Sequence, residues 1–139
     1  MRNFKVLISC MMVFMVCSVA FDARGEDAKQ IPLESLLGKY DGKMEVHMTR
    51  TLYRDFQVVV TSVDKSANTV SLVDYCRDCE ESKEWKRNNC KITDAKEIIK
   101  FTCKGKNSDE EYTFDGDRMK MTGHGPRWLY SINVKKIDK

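Results

Sequence analysis

Histidine is nearly missing from this chain. His47 and His124 are the two histidines among 139 residues. Neither belongs to a His-x-x-x-His pair, so a histidine metal site or a His-activated nucleophile has no support in the sequence. Long apolar runs are missing as well. After the N-terminal segment no stretch is long enough to cross a bilayer, so no membrane span is expected. No strand-helix-strand rhythm recurs, which argues against a parallel sheet. Internal repeats and low-complexity tracts are absent. The acidic residues Asp109, Glu110, Glu111, Asp115 and Asp117 stand close together in hairpins, where solvated turn charge is the expectation, and too few oxygen ligands share one loop for calcium. No catalytic residue, metal or cofactor is predicted, and no polar set aimed inward is evident.

The first residues read as a targeting signal rather than as structure. Arg2 and Lys5 precede an apolar run over residues 6–19, and Ser18 with Ala20 fits a cleavage site. Residues 1–20 are therefore assigned as a signal peptide, with cleavage as late as residue 25 also consistent. Leu7-Ile-Ser-Cys10 has lipobox letters, but too little apolar sequence precedes Cys10, which argues against a lipid anchor. Residues 21–32 read as a flexible segment and residues 33–139 as one domain. Removing Arg2 and Lys5 from the 24 basic residues leaves 22 against 21 acidic ones, a net charge of about +1. A near-neutral exported domain is a poor candidate for binding nucleic acid. The expected location is periplasmic or extracellular.

What is abundant is alternation. From Gly38 to Leu52, apolar Tyr40, Met44, Val46, Met48 and Leu52 alternate with Lys39, Asp41, Lys43, Glu45, His47, Thr49 and Thr51. Period two is the mark of a strand with one dry face. Gly42 falls on that face, where glycine permits a sharp bend. A turn is expected over residues 53–55. Strands follow over 56–63 and 69–75, joined by a loop in which Asn68 suits a left-handed position. Residues 76–89 form a charged excursion, with a helical turn or two over 80–87. A short strand at 90–93 and a strand over 97–104 come next. The runs 111–114 and 118–122 flank Asp115-Gly-Asp117, a hairpin signal, and residues 127–134 close the chain. Pro32 to Gly38 reads as one or two helical turns. About eight antiparallel strands in a meander are expected to close into an all-β barrel, because closure removes exposed edges.

Cys76, Cys79, Cys90 and Cys103 remain after processing. In an exported chain an even count reads first as two disulfides, with three pairings open. A closed barrel favours Cys76–Cys90 with Cys79–Cys103, which would pin the excursion. Cys76-Arg-Asp-Cys79, placed after a strand and before a helical turn, also has the setting of a thiol oxidoreductase pair. Asp78, Glu80 and Glu81 argue against that activity, because negative charge raises thiol pKa.

The chain resembles a small bacterial lipocalin-like (calycin) barrel. Gly38-Lys-Tyr40 occupies the place of a Gly-x-Trp motif, after a short helical turn. Arg127, near the last strand, would stack on Tyr40, and the Tyr-Thr-Phe-Asp-Gly-Asp-Arg-Met run is similar to hairpins of such domains. The resemblance implies a barrel that binds a small apolar molecule.

The candidate interior comprises Tyr40, Met44, Met48, Phe101, Tyr112, Phe114, Met119, Met121, Trp128 and Tyr130. Methionines beside aromatics suit a pocket for varied apolar ligands. The same side chains also suit the filled core of a structural or protein-binding module. Such a module would present the disulfide-pinned loop 76–90 and Trp85 to a protein partner.

Overall fold

The computed structural model describes residues 29–80 and 83–137. The proposed signal peptide, and most of the segment after it, lie outside the described residues. One 3-10 turn, Leu33–Leu36, precedes eight strands: β1 Gly38–His47, β2 Thr51–Asp64, β3 Thr69–Cys76, β4 Lys83–Ala95, β5 Ile99–Lys104, β6 Asp109–Phe114, β7 Arg118–His124 and β8 Leu129–Lys136. Each strand pairs antiparallel with the next, and β8 returns to β1, so the sheet is a closed barrel. Met44 lies opposite Ile132, and Val46 opposite Tyr130, across the closing seam.

Alternation in sequence becomes alternation in burial. In β3, Val70, Leu72, Asp74 and Cys76 are buried while their neighbours are not, and in β7 Met119, Met121 and Gly123 point inward. The turns follow local chemistry. Asn68 adopts φ 55° between β2 and β3, as expected. Asp115 closes the β6–β7 hairpin by accepting hydrogen bonds from the backbone N–H groups of Asp117 (3.1 Å) and Arg118 (2.8 Å). Gly42 is required by contact as well as by curvature: a Cβ there would lie 2.1 Å from the carbonyl oxygen of Asn133 on β8.

Two expected boundaries move. The opening strand stops at His47 rather than running to Leu52, and the turn falls at residues 48–50, where the Met48 N–H reaches the Arg50 carbonyl (3.3 Å). Alternation simply runs through this tight turn, which hides it. The larger correction concerns residues 80–87. Lys83–Ala95 is one 13-residue strand, not a helical turn followed by a short strand. Glu84 and Lys86 face solvent there, whereas Trp85 and Arg87 face the barrel. An arginine on the inward side broke the apolar pattern that would have revealed the strand.

The disulfides also differ from expectation. Cys76 bonds Cys79 inside the β3–β4 connection, and Cys90 bonds Cys103 across β4 and β5. Register explains why Cys76 cannot reach Cys90. Opposite Cys90 on β3 stands Val70, six residues from Cys76, a distance of about 20 Å along a strand.

One end of the barrel is plugged. Leu36 is fully buried there. The Tyr40 hydroxyl donates to the Leu36 carbonyl (2.6 Å), and Lys136 Nζ donates to the Ser35 carbonyl (2.6 Å). Ile31 lies below, its N–H donating to the Lys96 carbonyl (3.0 Å). The cation over the Tyr40 ring is Lys136, 5.7 Å from the centroid. Arg127 does not stack on Tyr40. It is exposed in the β7–β8 turn, at the opposite end of the barrel from the β1–β8 pair Tyr40 and Lys136. Among the described residues no helix is long and apolar enough to cross a membrane.

Candidate functional site

The other end of the barrel is hollow. A cavity of about 320 Å³ lies beneath the β5–β6 and β7–β8 turns. Its walls are Met44 and Val46 of β1, Phe56 of β2, Trp85 of β4, Met121 of β7 and Ile132 of β8, with Lys106, Asn107 and Trp128 at the mouth. Trp85 stacks on Phe56 (6.3 Å between centroids, 24° between planes), so this half-buried tryptophan packs toward the interior.

The floor is polar. Asp74, Arg87, Glu110 and Tyr130 line it, and Asp74 and Glu110 are almost completely buried, at 1% and 2% exposure. Glu110 Oε1 accepts from Arg87 Nη2 (2.8 Å) and from the Tyr130 hydroxyl (2.7 Å). Asp74 Oδ2 accepts from the Tyr112 hydroxyl (3.0 Å) and lies 3.5 Å from Arg87 Nε.

Each floor residue is placed by a simple device. Asp74 shares the inward parity of Val70 and Leu72 on β3, and Glu110 that of Tyr112 and Phe114 on β6. Arg87 depends on an irregularity. Leu72 pairs with Arg87 but Val70 pairs with Cys90, so β4 carries one extra residue here, and Asn89 takes φ 54° within it. The bulge lets Arg87 and Cys90 both face inward although they are three residues apart. Tyr130 depends on its cross-strand partner. Gly123 lies opposite it, and a Cβ on Gly123 would sit 2.3 Å from the phenol ring. The missing side chain lets the ring lie across β7 and reach Glu110.

Burial sets the protonation chemistry. It pushes the Asp74 carboxyl up to about 7, the nearby Glu110 adding to the shift while Arg87 and the Tyr112 hydroxyl oppose it. Burial also raises the phenols, Tyr112 and Tyr130, next to Asp74 and Glu110 respectively. Burial disfavours the Arg87 charge, but Glu110, Tyr112 and Asp74 outweigh that and hold it as a cation. Among the described residues, three floor atoms have no hydrogen-bond partner: Asp74 Oδ1, Glu110 Oε2 and Arg87 Nε. Such a buried group costs roughly 1–3 kcal/mol when left unsatisfied, so the arrangement holds hydrogen-bonding capacity ready for a bound molecule or water.

The expected interior set divides in two. Met44, Met121, Trp128 and Tyr130 line the cavity, Trp128 standing 41% exposed at its mouth. Tyr40, Phe101, Phe114 and Met119 are packed into the closed half, and Tyr112 joins the halves, its ring stacked on Phe101 (4.8 Å) and its hydroxyl on Asp74. Met48 is not interior. It sits in the β1–β2 turn at 51% exposure. His47 and His124 are exposed. Among the described residues no cluster of three or more His, Cys, Asp or Glu is placed to hold a metal ion. The strand β4 follows the Cys76–Cys79 bridge, so the helix N-terminus that would activate a thiol there is replaced by a strand.

The sequence reading leaves Asp74, Arg87, Phe56 and Ile132 out of the interior set, takes Glu110 as solvated turn charge and Trp85 as a partner contact, and puts Val46 on the dry face of the opening strand without assigning it to the pocket. A usable signal existed for two of them: an acid on the dry parity of an otherwise alternating strand. Compared with family models, curated proteins and solved structures, the chain matches none.

Proposed function

We propose that the protein is an exported, lipocalin-like binding protein that holds a small, largely apolar molecule in the open half of its barrel and acts by binding rather than by catalysis. The observation that carries this reading is the half-open cavity with apolar walls and a polar floor. Ligand sites have this composition, mostly apolar lining with a few placed polar groups, and commonly measure about 300–1,000 Å³. The eight-strand meander, the 3-10 plug and the aromatic Tyr40 at the base support a lipocalin-like assignment. Two disulfides support life in an oxidising compartment.

Trp85 and Trp128 line the cavity and serve as built-in reporters. Adding N-phenyl-1-naphthylamine is expected to quench their emission saturably, with energy transfer to the probe at one molecule per chain. Emission that declines linearly with probe, without saturation, would defeat the reading.

A further inference from the structure

We infer that the cavity selects a molecule whose apolar body ends in a protonated amine, held at the floor by Glu110 and Asp74. The inference rests on reading the open half of the barrel as a ligand cavity, and it specifies the head group that cavity takes.

The floor is unbalanced. Two carboxylates share one guanidinium, and each keeps one buried oxygen that accepts nothing. Among the described floor atoms Arg87 Nε, 3.5 Å from Asp74 Oδ2, is the one spare donor; with Glu110 Oε1 engaged by Arg87 and Tyr130, the spare acceptors are Glu110 Oε2 and Asp74 Oδ1. Both call for donors. An ammonium group has three donors and no acceptor, whereas a hydroxyl has one donor and a carboxylate has none. A carboxylate head would meet two buried acids, and no spare cation would answer it. Arg87 Nη2 is bound to Glu110, and Arg87 Nε lies beside Asp74. Tyr112 and Tyr130, the remaining titratable neighbours, are held neutral by burial and by these acids. Lys106 is at the mouth and exposed, where solvent and salt screen its charge. Above the floor, Trp85 and Phe56 offer aromatic faces, which attract a cation as well as an alkyl chain.

Three probes with one alkyl chain separate the possibilities: n-octylamine, n-octanol and n-octanoate, titrated calorimetrically into the full mature chain at pH 8. The amine is expected to bind at least about tenfold more tightly than the alcohol, in line with a charge-assisted hydrogen bond, and octanoate most weakly. Glu110→Gln should bring the amine-to-alcohol ratio close to one. Asp74→Asn should lower the same ratio, and it carries the test if the first variant does not fold. Octanol binding as tightly as octylamine, or a ratio unchanged in both variants, overturns the amine inference and leaves the apolar cavity standing. Absence of saturable heat from all three probes overturns the cavity reading together with the inference.

Discussion

At the closed end of the barrel Tyr40, Phe101, Phe114 and Met119 are buried, with Tyr40 edge-on to Phe114 at 5.8 Å and Phe101 stacked on Tyr112 at 4.8 Å. At the open end Met44, Val46 and Tyr130 are only half buried and stand around a void of about 320 Å³. The same strands supply both ends, with the same alternation. What differs is the chemistry at the inward positions. Where they carry only apolar side chains and a well-bonded tyrosine, the barrel fills itself. Where Asp74, Arg87 and Glu110 enter, packing gives way to a network that must be hydrated or occupied. One end is packed, and the other holds a void bordered by charged side chains.

Mutations at the two ends should therefore have unequal costs. Phe114→Ala, in the filled half, is expected to lower unfolding stability by about 3–5 kcal/mol. Met44→Ala, whose side chain already borders empty space, should cost less than about 1 kcal/mol by the same reasoning. Equal shifts in denaturant midpoint would erase the distinction between filled and hollow halves.

The two disulfides offer a second contrast. Cys90 and Cys103 are 13 residues apart in sequence, Cys76 and Cys79 only three. Replacing the first pair by alanine should cost about 3 kcal/mol, and the second about 2 kcal/mol, if restriction of the unfolded chain dominates. A reversed order, measured by chemical unfolding, would place the main constraint at the open rim.

Asp74 gives an effect with a definite sign. Its folded pKa lies above its ordinary value of 3.8, at about 7. The folded state therefore holds the proton more tightly than the unfolded chain does. Its contribution favours folding at low pH and is lost as pH rises from about 4 to about 7. Asp74→Asn, which keeps an acceptor for Tyr112 but cannot ionise, is expected to gain on the order of 4 kcal/mol over wild type at pH 8 relative to the comparison at pH 4. A pH-independent difference would mean that Asp74 ionises without penalty.

Much of the architecture was legible in the residues. The strand count, the closure of β8 onto β1 and the left-handed Asn68 all follow from period-two patterning and turn chemistry. The polar floor was harder to see. Asp74 looked like the end of a strand, and Glu110 stood one residue before the run 111–114, inside an acidic triplet that reads as a turn. Arg87 was hidden because its strand carries charge on both faces and needs a bulge to restore inward parity. Pairing is not written locally: the contact of Gly123 with Tyr130, and the separation of Cys76 from Cys90, depend on strand register across the sheet.

The most direct measurement fills the void on purpose. Met44→Trp places a larger side chain at the cavity wall and away from the packed end. Calorimetric titration with N-phenyl-1-naphthylamine should give saturable one-to-one binding for wild type and none for Met44→Trp, with the variant's unfolding midpoint close to wild type. Equal binding by the two proteins would contradict a hollow, ligand-holding open half.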